Sequence, residues 1–138
     1  TKKMALGRSI QKHDDDGEYA IPGDRVGLAL KGIETEDLDR GYVLSANPDM
    51  TSSTTINGRA SLVRFWPSPL KEGMVVHAGL WMQFVPARIA FIDNSGDWKK
   101  PVITLRTESD LVYQPGARMI LHYLEGGKLR IAGTMVLK

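Results

Sequence analysis

The feature that most constrains this chain is a series of short runs in which apolar and polar residues alternate. Alternation with a period of two residues predicts half-buried β-strands. Fourteen glycines and seven prolines supply the turn residues between the runs. Many short strands at regular spacing pack as closed barrels or as sandwiches, so we predict an all-β fold. The runs lie at residues 23–30, 62–66, 75–77, 84–92, 101–105, 117–124 and 129–137.

Three short segments carry local signals. Residues 34–40 are the one stretch that favours a single helical turn, with Thr35 as its N-cap. Residues 125–128, Glu-Gly-Gly-Lys, predict a hairpin turn because glycine readily adopts the positive φ that such turns need. The polar residues 13–18 predict an exposed loop between strands.

A break in composition indicates two modules. The stretch from Asn47 to Thr55 is polar and has no hydrophobic period, which is typical of a linker. A chain of 138 residues suffices for one ordinary domain or for two small ones. We therefore predict a first module at residues 1–46, a linker at 47–56 and a second module at 57–138.

The overall composition excludes several classes of protein. The chain has no cysteine, so disulfide scaffolds, thiolate zinc sites and cysteine nucleophiles are excluded. The net charge of +2 is too balanced to indicate nucleic-acid binding by itself. No apolar run approaches the roughly 20 residues of a membrane span, and no signal peptide is visible, so we expect a cytoplasmic protein without a membrane partner. The start at Thr1-Lys2-Lys3, without an initiator methionine, predicts a fragment or a processed chain.

Common catalytic and cofactor motifs are missing from these residues. The sequence contains neither the phosphate loop Gly-x-x-x-x-Gly-Lys-Ser/Thr nor the dinucleotide motif Gly-x-Gly-x-x-Gly. The aspartates at 14–16 lack the ligand spacing of a calcium loop, which favours a solvated loop over a cation site. The histidines lack the spacing of a paired metal site, so structural roles are favoured over a metal or a nucleophilic set. These histidines are His13, His77 and His122.

Aromatic and basic residues provide the one hint of nucleic-acid contact. The three tryptophans can stack on bases, although core packing is the commoner use of tryptophan. Lys99 and Lys100 follow Trp98 and form a small basic-aromatic spot. The candidate contacts to nucleic acid are Arg64, Arg88, Lys99 and Lys100; Arg64 and Arg88, like Arg59, are scattered on predicted strands.

The segment at residues 23–44 resembles a known family. It reads Gly-Asp-Arg-Val-Gly-Leu-Ala-Leu-Lys-Gly-Ile-Glu-Thr-Glu-Asp-Leu-Asp-Arg-Gly-Tyr-Val-Leu. The late part of domain II in translation elongation factors of the EF-Tu/SelB type is similar: a Gly-Asp/Glu-x-Val-Gly strand, an acidic turn, then Arg-Gly-x-Val-Leu. Residues 8–11 resemble the strand before the acidic loop in archaeal SelB. Residues 71–79, 113–118 and 129–136 resemble landmarks of the following barrel, domain III.

The resemblance implies small antiparallel β-barrels: the C-terminal half of a domain II barrel at residues 1–46 and a domain III barrel at 57–138. It also implies that the GTPase domain and the first strands of domain II lie outside these residues. GTP and Mg²⁺ would then belong to the intact factor, and no cofactor is expected on this chain. A half-barrel exposes strand edges, so a G domain or a second chain is expected to complete it.

The family also implies a binding site for the aminoacylated 3′ end of tRNA. The residue after Gly-Asp belongs to the pocket for the attached amino acid. General factors usually carry Asn there, whereas this chain has Arg25 beside Asp24, as in the selenocysteine-specific branch. A guanidinium favours an anionic group such as a selenolate. Ser9 and Gln11 fall where the family strand approaches the terminal adenosine, although general EF-Tu has Glu at the Ser9 position.

Three hypotheses follow. The first is a non-catalytic domain II–III region of an EF-Tu/SelB-like factor that contributes to aminoacyl-tRNA binding and delivery to the ribosome. The second is an EF-Tu paralogue with a degenerate or absent G domain, which binds tRNA or the ribosome without GTP hydrolysis. The third, from another class, is a stand-alone β-barrel enzyme, which the lack of clustered histidines and paired carboxylates disfavours.

Overall fold

The structure, a computed structural model, describes residues 3–138; Thr1 and Lys2, the start of the predicted first module, lie outside the described residues. It is an all-β fold that contains a closed barrel, which confirms the predicted fold class. The chain divides into two compact units, one ending at Asp39 and the other running from Arg40 to Lys138. The strands are β1 Leu6–Lys12, β2 Asp15–Gly17, β3 Gly27–Lys31, β4 Thr51–Leu62, β5 Val75–Leu80, β6 Gln83–Asp93, β7 Val102–Tyr113, β8 Arg118–His122 and β9 Ile131–Leu137.

The first unit, which we call the sheet unit, is an antiparallel sheet in the order β2-β1-β3. Residues 13–18, predicted as an exposed loop, instead form a tight hairpin in which Asp15–Gly17 pair with β1. His13 and Asp14 make its turn, with φ of 50° and 65°. Two consecutive positive φ values match the twist of the flanking strands, and Asp and His adopt them more readily than most residues.

The helical turn that forms after β3 is shorter than the one predicted at residues 34–40. A 3₁₀ turn spans Thr35–Asp37, and Leu38 is already extended with ψ of 139°. Glu34, and not Thr35, is the N-cap, because its backbone is still extended, with φ −94° and ψ 158°; the Asp37 carboxylate accepts a hydrogen bond from the Glu34 N–H at 3.3 Å. Asp37 also binds Lys3, and that contact is the main reason why the pKa of Asp37 is lowered.

The second unit, which we call the barrel unit, contains six antiparallel strands in the closed order β4-β7-β6-β5-β8-β9. Pairing of β4 with β9 completes the ring, so these strands leave no free edge within it. Alternate residues of each strand point inward and form one core. The largest side chains that are fully buried there include Ile56, Ile89, Ile103, Leu105, Leu111, Met119, Leu121 and Met135.

Two glycines allow the strands that close the ring to approach each other. A Cβ at Gly133 would lie 2.1 Å from the Ser61 carbonyl oxygen, and one at Gly58 would lie 2.3 Å from the Val136 carbonyl oxygen. Both distances are far below van der Waals contact, so a side chain at either position would force β4 and β9 apart. The predicted hairpin turn at 125–128 is confirmed as part of the connection from β8 to β9, with Gly127 at φ +62°.

The linker predicted at 47–56 requires a correction in its second half. Strand β4 begins at Thr51, and Thr51 to Ser53 pair with Leu111 to Tyr113 of β7. Threonine favours strands, but this segment is polar on both faces. It therefore lacks the alternation of apolar and polar residues from which a strand is predicted. The division between units also falls after Asp39, earlier than the boundary predicted at residue 46.

Candidate functional site

Two residues of the predicted 3′-end site, Ser9 and Gln11, lie on the central strand of the sheet unit. They are two positions apart in regular pairing with β3, so they share one face, and both are exposed. Gln11 pairs with Asp16 on one side and with Gly27 on the other. Its amide Nε2 donates a hydrogen bond to Asp16 Oδ1 at 3.3 Å, which fixes the amide beside the hairpin.

Asp24 is occupied by neighbours within the sheet unit. Its Oδ2 lies 2.7 Å from Lys12 Nζ and accepts a hydrogen bond from the Ile21 N–H at 3.0 Å. The hydrogen bond from Lys12 is the largest cause of the lowered pKa of Asp24. These contacts tie the turn before β3 to the end of β1. The role of Lys12 depends on strand pairing, so no sequence motif signalled it.

Arg25 follows that turn and is exposed, two residues before Gly27, the partner of Gln11. Among residues 3–138, the Arg25 guanidinium makes no ion pair within 4.0 Å. Its charge is therefore available to an anionic group. The structure thus places Ser9 and Gln11 on β1, and Asp24 and Arg25 in the connection that precedes β3.

In the barrel unit, three of the four predicted basic contacts come together. Lys99 Nζ donates a hydrogen bond to the Arg64 carbonyl oxygen at 2.6 Å and lies 5.3 Å from the centre of the Trp98 ring. The Lys100 carbonyl oxygen accepts a hydrogen bond from Arg59 at 3.3 Å. We call Arg59, Arg64, Lys99 and Lys100 the basic cluster. Aromatic rings next to exposed cations are a combination that suits stacked bases and phosphates.

Arg88, the fourth predicted basic contact, lies on β6 instead, directly opposite Arg106 of β7. Its guanidinium donates a hydrogen bond to the Gly73 carbonyl oxygen at 2.8 Å. Sequence reasoning did not single out Arg106. Only the register of β6 against β7 brings the two arginines to one place.

The tryptophans and histidines take different positions. Trp66 is buried, edge-on to Tyr123 at 5.5 Å between ring centres. Trp81 is exposed in the turn between β5 and β6, at φ +54°, a conformation that is costly for a bulky residue. Phe84 packs between His77 and His122, with both ring distances at 4.9 Å. Burial, followed by the nearby His77, lowers the pKa of His122.

The described residues contain neither a candidate metal centre nor a membrane-spanning helix. Within residues 3–138, no group of three or more histidine and carboxylate side chains is arranged to hold a metal ion. No helix in that same part of the chain is long and apolar enough to cross a membrane.

Comparison with known proteins supports one family. No protein-family model matches the chain. An uncharacterized protein of Methanocaldococcus jannaschii is 36% identical over 135 residues, which cover 97% of this chain and 41% of that protein. The selenocysteine-specific elongation factor of the same organism is 32% identical over 99 residues, which cover 70% of this chain and 21% of the factor.

A solved structure has the same fold. The crystal structure of the translation elongation factor SelB from Methanococcus maripaludis, in its apo form, matches with a TM-score of 0.80 and 22% identity. The match covers 97% of this chain and 33% of that one, so the chain spans less than half the length of each of these relatives. The chain is therefore an EF-Tu/SelB-like polypeptide, related in sequence and in fold to part of the selenocysteine-specific elongation factors.

Proposed function

We propose that this chain is the domain II–III region of an EF-Tu/SelB-like translation elongation factor and that it contributes to binding aminoacyl-tRNA and delivering it to the ribosome in the cytoplasm. The observation that carries the proposal is the combined match to SelB, in sequence over 70% of the chain and in fold over 97%. In this assignment the sheet unit is the late part of domain II, and the barrel unit contains domain III. GTP hydrolysis would be a property of the intact factor.

The sheet unit would hold the aminoacylated 3′ end. Ser9 and Gln11 present a hydroxyl and an amide on one exposed face of β1, and both groups hydrogen-bond readily to ribose and base atoms. Arg25 would attract an anionic side chain of the attached amino acid, with a selenolate as the specific candidate. Because Asp24 is already held by Lys12, we assign it the role of positioning Arg25 and not that of contacting the ligand.

The basic cluster of the barrel unit would contact the sugar-phosphate backbone of the tRNA. Lysine and arginine beside phosphates provide affinity without sequence information, since the interaction depends on charge and on release of counterions. The two sites therefore have distinguishable tasks. The sheet unit would sense whether the tRNA is charged, and the basic cluster would bind either form of the tRNA.

This division can be tested with charged and uncharged selenocysteine tRNA in a binding assay at fixed salt. We expect Arg25→Ala to lower the affinity for the charged tRNA severalfold and to leave the uncharged tRNA unaffected, because the guanidinium meets only the attached amino acid. Lys100→Ala is the matched control, which removes one cation from the basic cluster. It should weaken both forms equally and reduce the salt dependence of binding by roughly one phosphate contact.

Equal losses from Arg25→Ala for both tRNA forms would contradict the amino-acid pocket. If neither form of the tRNA binds the unaltered chain at low salt, the proposed function itself is wrong.

A further inference from the structure

We propose that the barrel unit has a phosphate-binding site in a depression on its outer surface, formed by Arg88 of β6 and Arg106 of β7. The depression has a volume of about 210 Å³ and is also lined by Thr107, Glu108, Val75 and Pro86. The residues that line it are different from those assigned above to the amino-acid pocket and to the basic cluster. The inference does not depend on the proposed function, since it rests on the chemistry of these side chains.

The two arginines are direct partners in the antiparallel register of β6 and β7. Directly opposite residues have their Cβ atoms close together on one face of the sheet, and both side chains here are exposed. Like charges placed this way repel each other and destabilise the strand pair. An anion bound between the two guanidinium groups would offset this repulsion.

The carboxylates of the described chain neutralise this pair only in part. Neither Arg88 nor Arg106 makes an ion pair within 4.0 Å among residues 3–138. Glu108 is the one carboxylate that lines the depression, two residues along β7 from Arg106. With two cations and one anion, the depression carries a net positive charge.

The donors are partly arranged in advance. The hydrogen bond from Arg88 to the Gly73 carbonyl at 2.8 Å holds one nitrogen of its guanidinium, and the other N–H groups stay available. Thr107 is buried, and its hydroxyl has no hydrogen-bond partner in the described part of the chain. Thr107 lines the same depression, but its side chain faces the barrel interior, because residues alternate along β7 and its neighbours Arg106 and Glu108 are exposed, so the two arginines are the donors of the site.

These features favour a phosphate group over a carboxylate. Two guanidinium groups that approach from two strands pair best with an acceptor that has more than two oxygens, because each planar fork can bind two of them. Planar guanidinium forks match the geometry of phosphate oxygens, and the negative charge of a phosphate balances the net positive charge of the site. The phosphate can belong to inorganic phosphate or a phosphomonoester, or it can be part of an RNA backbone.

The site can be tested by NMR titration of the full chain with sodium phosphate, against sodium chloride at matched ionic strength. We expect saturable shifts at the amides of Arg88, Arg106 and Thr107 with phosphate and not with chloride. Arg106→Gln should weaken phosphate binding by at least about tenfold, because it removes a charged donor. Arg118→Gln is the matched control, an exposed arginine on β8 outside the depression, and it should leave the affinity unchanged.

A second variant tests the site without removing a donor. Glu108→Gln removes the competing carboxylate and should raise the affinity for phosphate. Identical responses to phosphate and to chloride would overturn the proposal. Binding that neither Arg106→Gln nor Glu108→Gln alters would also overturn it.

Competition with a short single-stranded RNA distinguishes backbone phosphates from a free phosphate or a phosphomonoester. If inorganic phosphate displaces the RNA and Arg106→Gln weakens both ligands, the site takes backbone phosphates. If phosphate binds and the RNA does not compete with it, the site serves a free phosphate or a phosphomonoester. Either result supports a phosphate site, and a failure of both ligands to bind excludes it.

Discussion

The sheet unit and the barrel unit are built from the same kind of short antiparallel strand, yet they differ in what they bury. In the barrel unit, closure of six strands removes twenty hydrophobic residues from solvent. Within residues 3–39 no side chain is buried, and large apolar residues such as Met4, Leu6 and Tyr19 are exposed. Strand pairing alone therefore satisfies hydrogen bonds but provides no core; a core requires a second layer or a closed ring.

Because only the barrel unit has a core, the unit that stabilises the fold is not the one that carries the proposed amino-acid pocket. The barrel unit has the buried area that stabilises a fold, while the proposed amino-acid pocket lies on the sheet unit. An exposed three-stranded sheet depends on local contacts such as Lys12–Asp24 and Lys3–Asp37. Exposed ion pairs contribute little to folding, so we expect the sheet unit to be the less stable of the two.

Hydrogen exchange should give the largest contrast between the units. Amides of β4 to β9 are expected to exchange only through global unfolding, at least about 10³-fold more slowly than amides of β1 to β3, because global opening costs about 5 kcal/mol or more. Peptide-resolved exchange measured by mass spectrometry tests this. Equal protection in both units would show that the sheet unit buries its apolar residues against another surface.

Truncation of one leucine in each unit should give the next largest effect. Leu105→Ala empties a fully buried position and should lower the free energy of unfolding of the barrel by about 2–5 kcal/mol. Leu28→Ala, at a position that is 48% exposed in β3, should change it by less than about 0.5 kcal/mol. Chemical denaturation of both variants makes the comparison, and a comparable loss from Leu28→Ala would mean that β3 packs against something in solution.

The pH dependence of stability should also differ between the units. Burial lowers the pKa of His122, so the folded barrel favours the neutral ring. The stability contributed by His122 is therefore complete above about pH 6.5 and is lost as the pH falls through the lowered value. Asp24 and Asp37 also have lowered pKa values, but as carboxylates they retain their contribution until the pH falls below 3.8.

Denaturation midpoints measured between pH 7.5 and pH 5.0 test this smallest effect. We expect the barrel to lose stability over that range and His122→Gln to flatten the dependence. His13→Asn, in the exposed turn of the sheet unit, is the matched control, since Asn tolerates its positive φ. A slope that survives in His122→Gln would assign the titration to another group.

Part of the candidate site was predictable from sequence. Resemblance over residues 23–44 identified the EF-Tu/SelB-like character that the relatives support. Lys99 lies beside Trp98 and Lys100 because the three residues are consecutive in sequence. The structure brings Arg64 to them through a hydrogen bond with Lys99, which is 35 positions away in sequence. The engagement of Asp24 by Lys12 and the pairing of Arg88 with Arg106 were not predictable, because each depends on the register between strands.

The sequence by itself determined the strand content, the glycine turns and the family resemblance, because alternation, turn chemistry and motifs are local properties of the chain. Only the tertiary structure decided that Thr51 to Thr55 join a strand, that six strands close into a ring while three remain an open sheet, and that two arginines face each other. The reason is that strands find their partners over long distances in sequence, as β4 does with β7. A shift of one residue in that pairing would send every side chain to the opposite face.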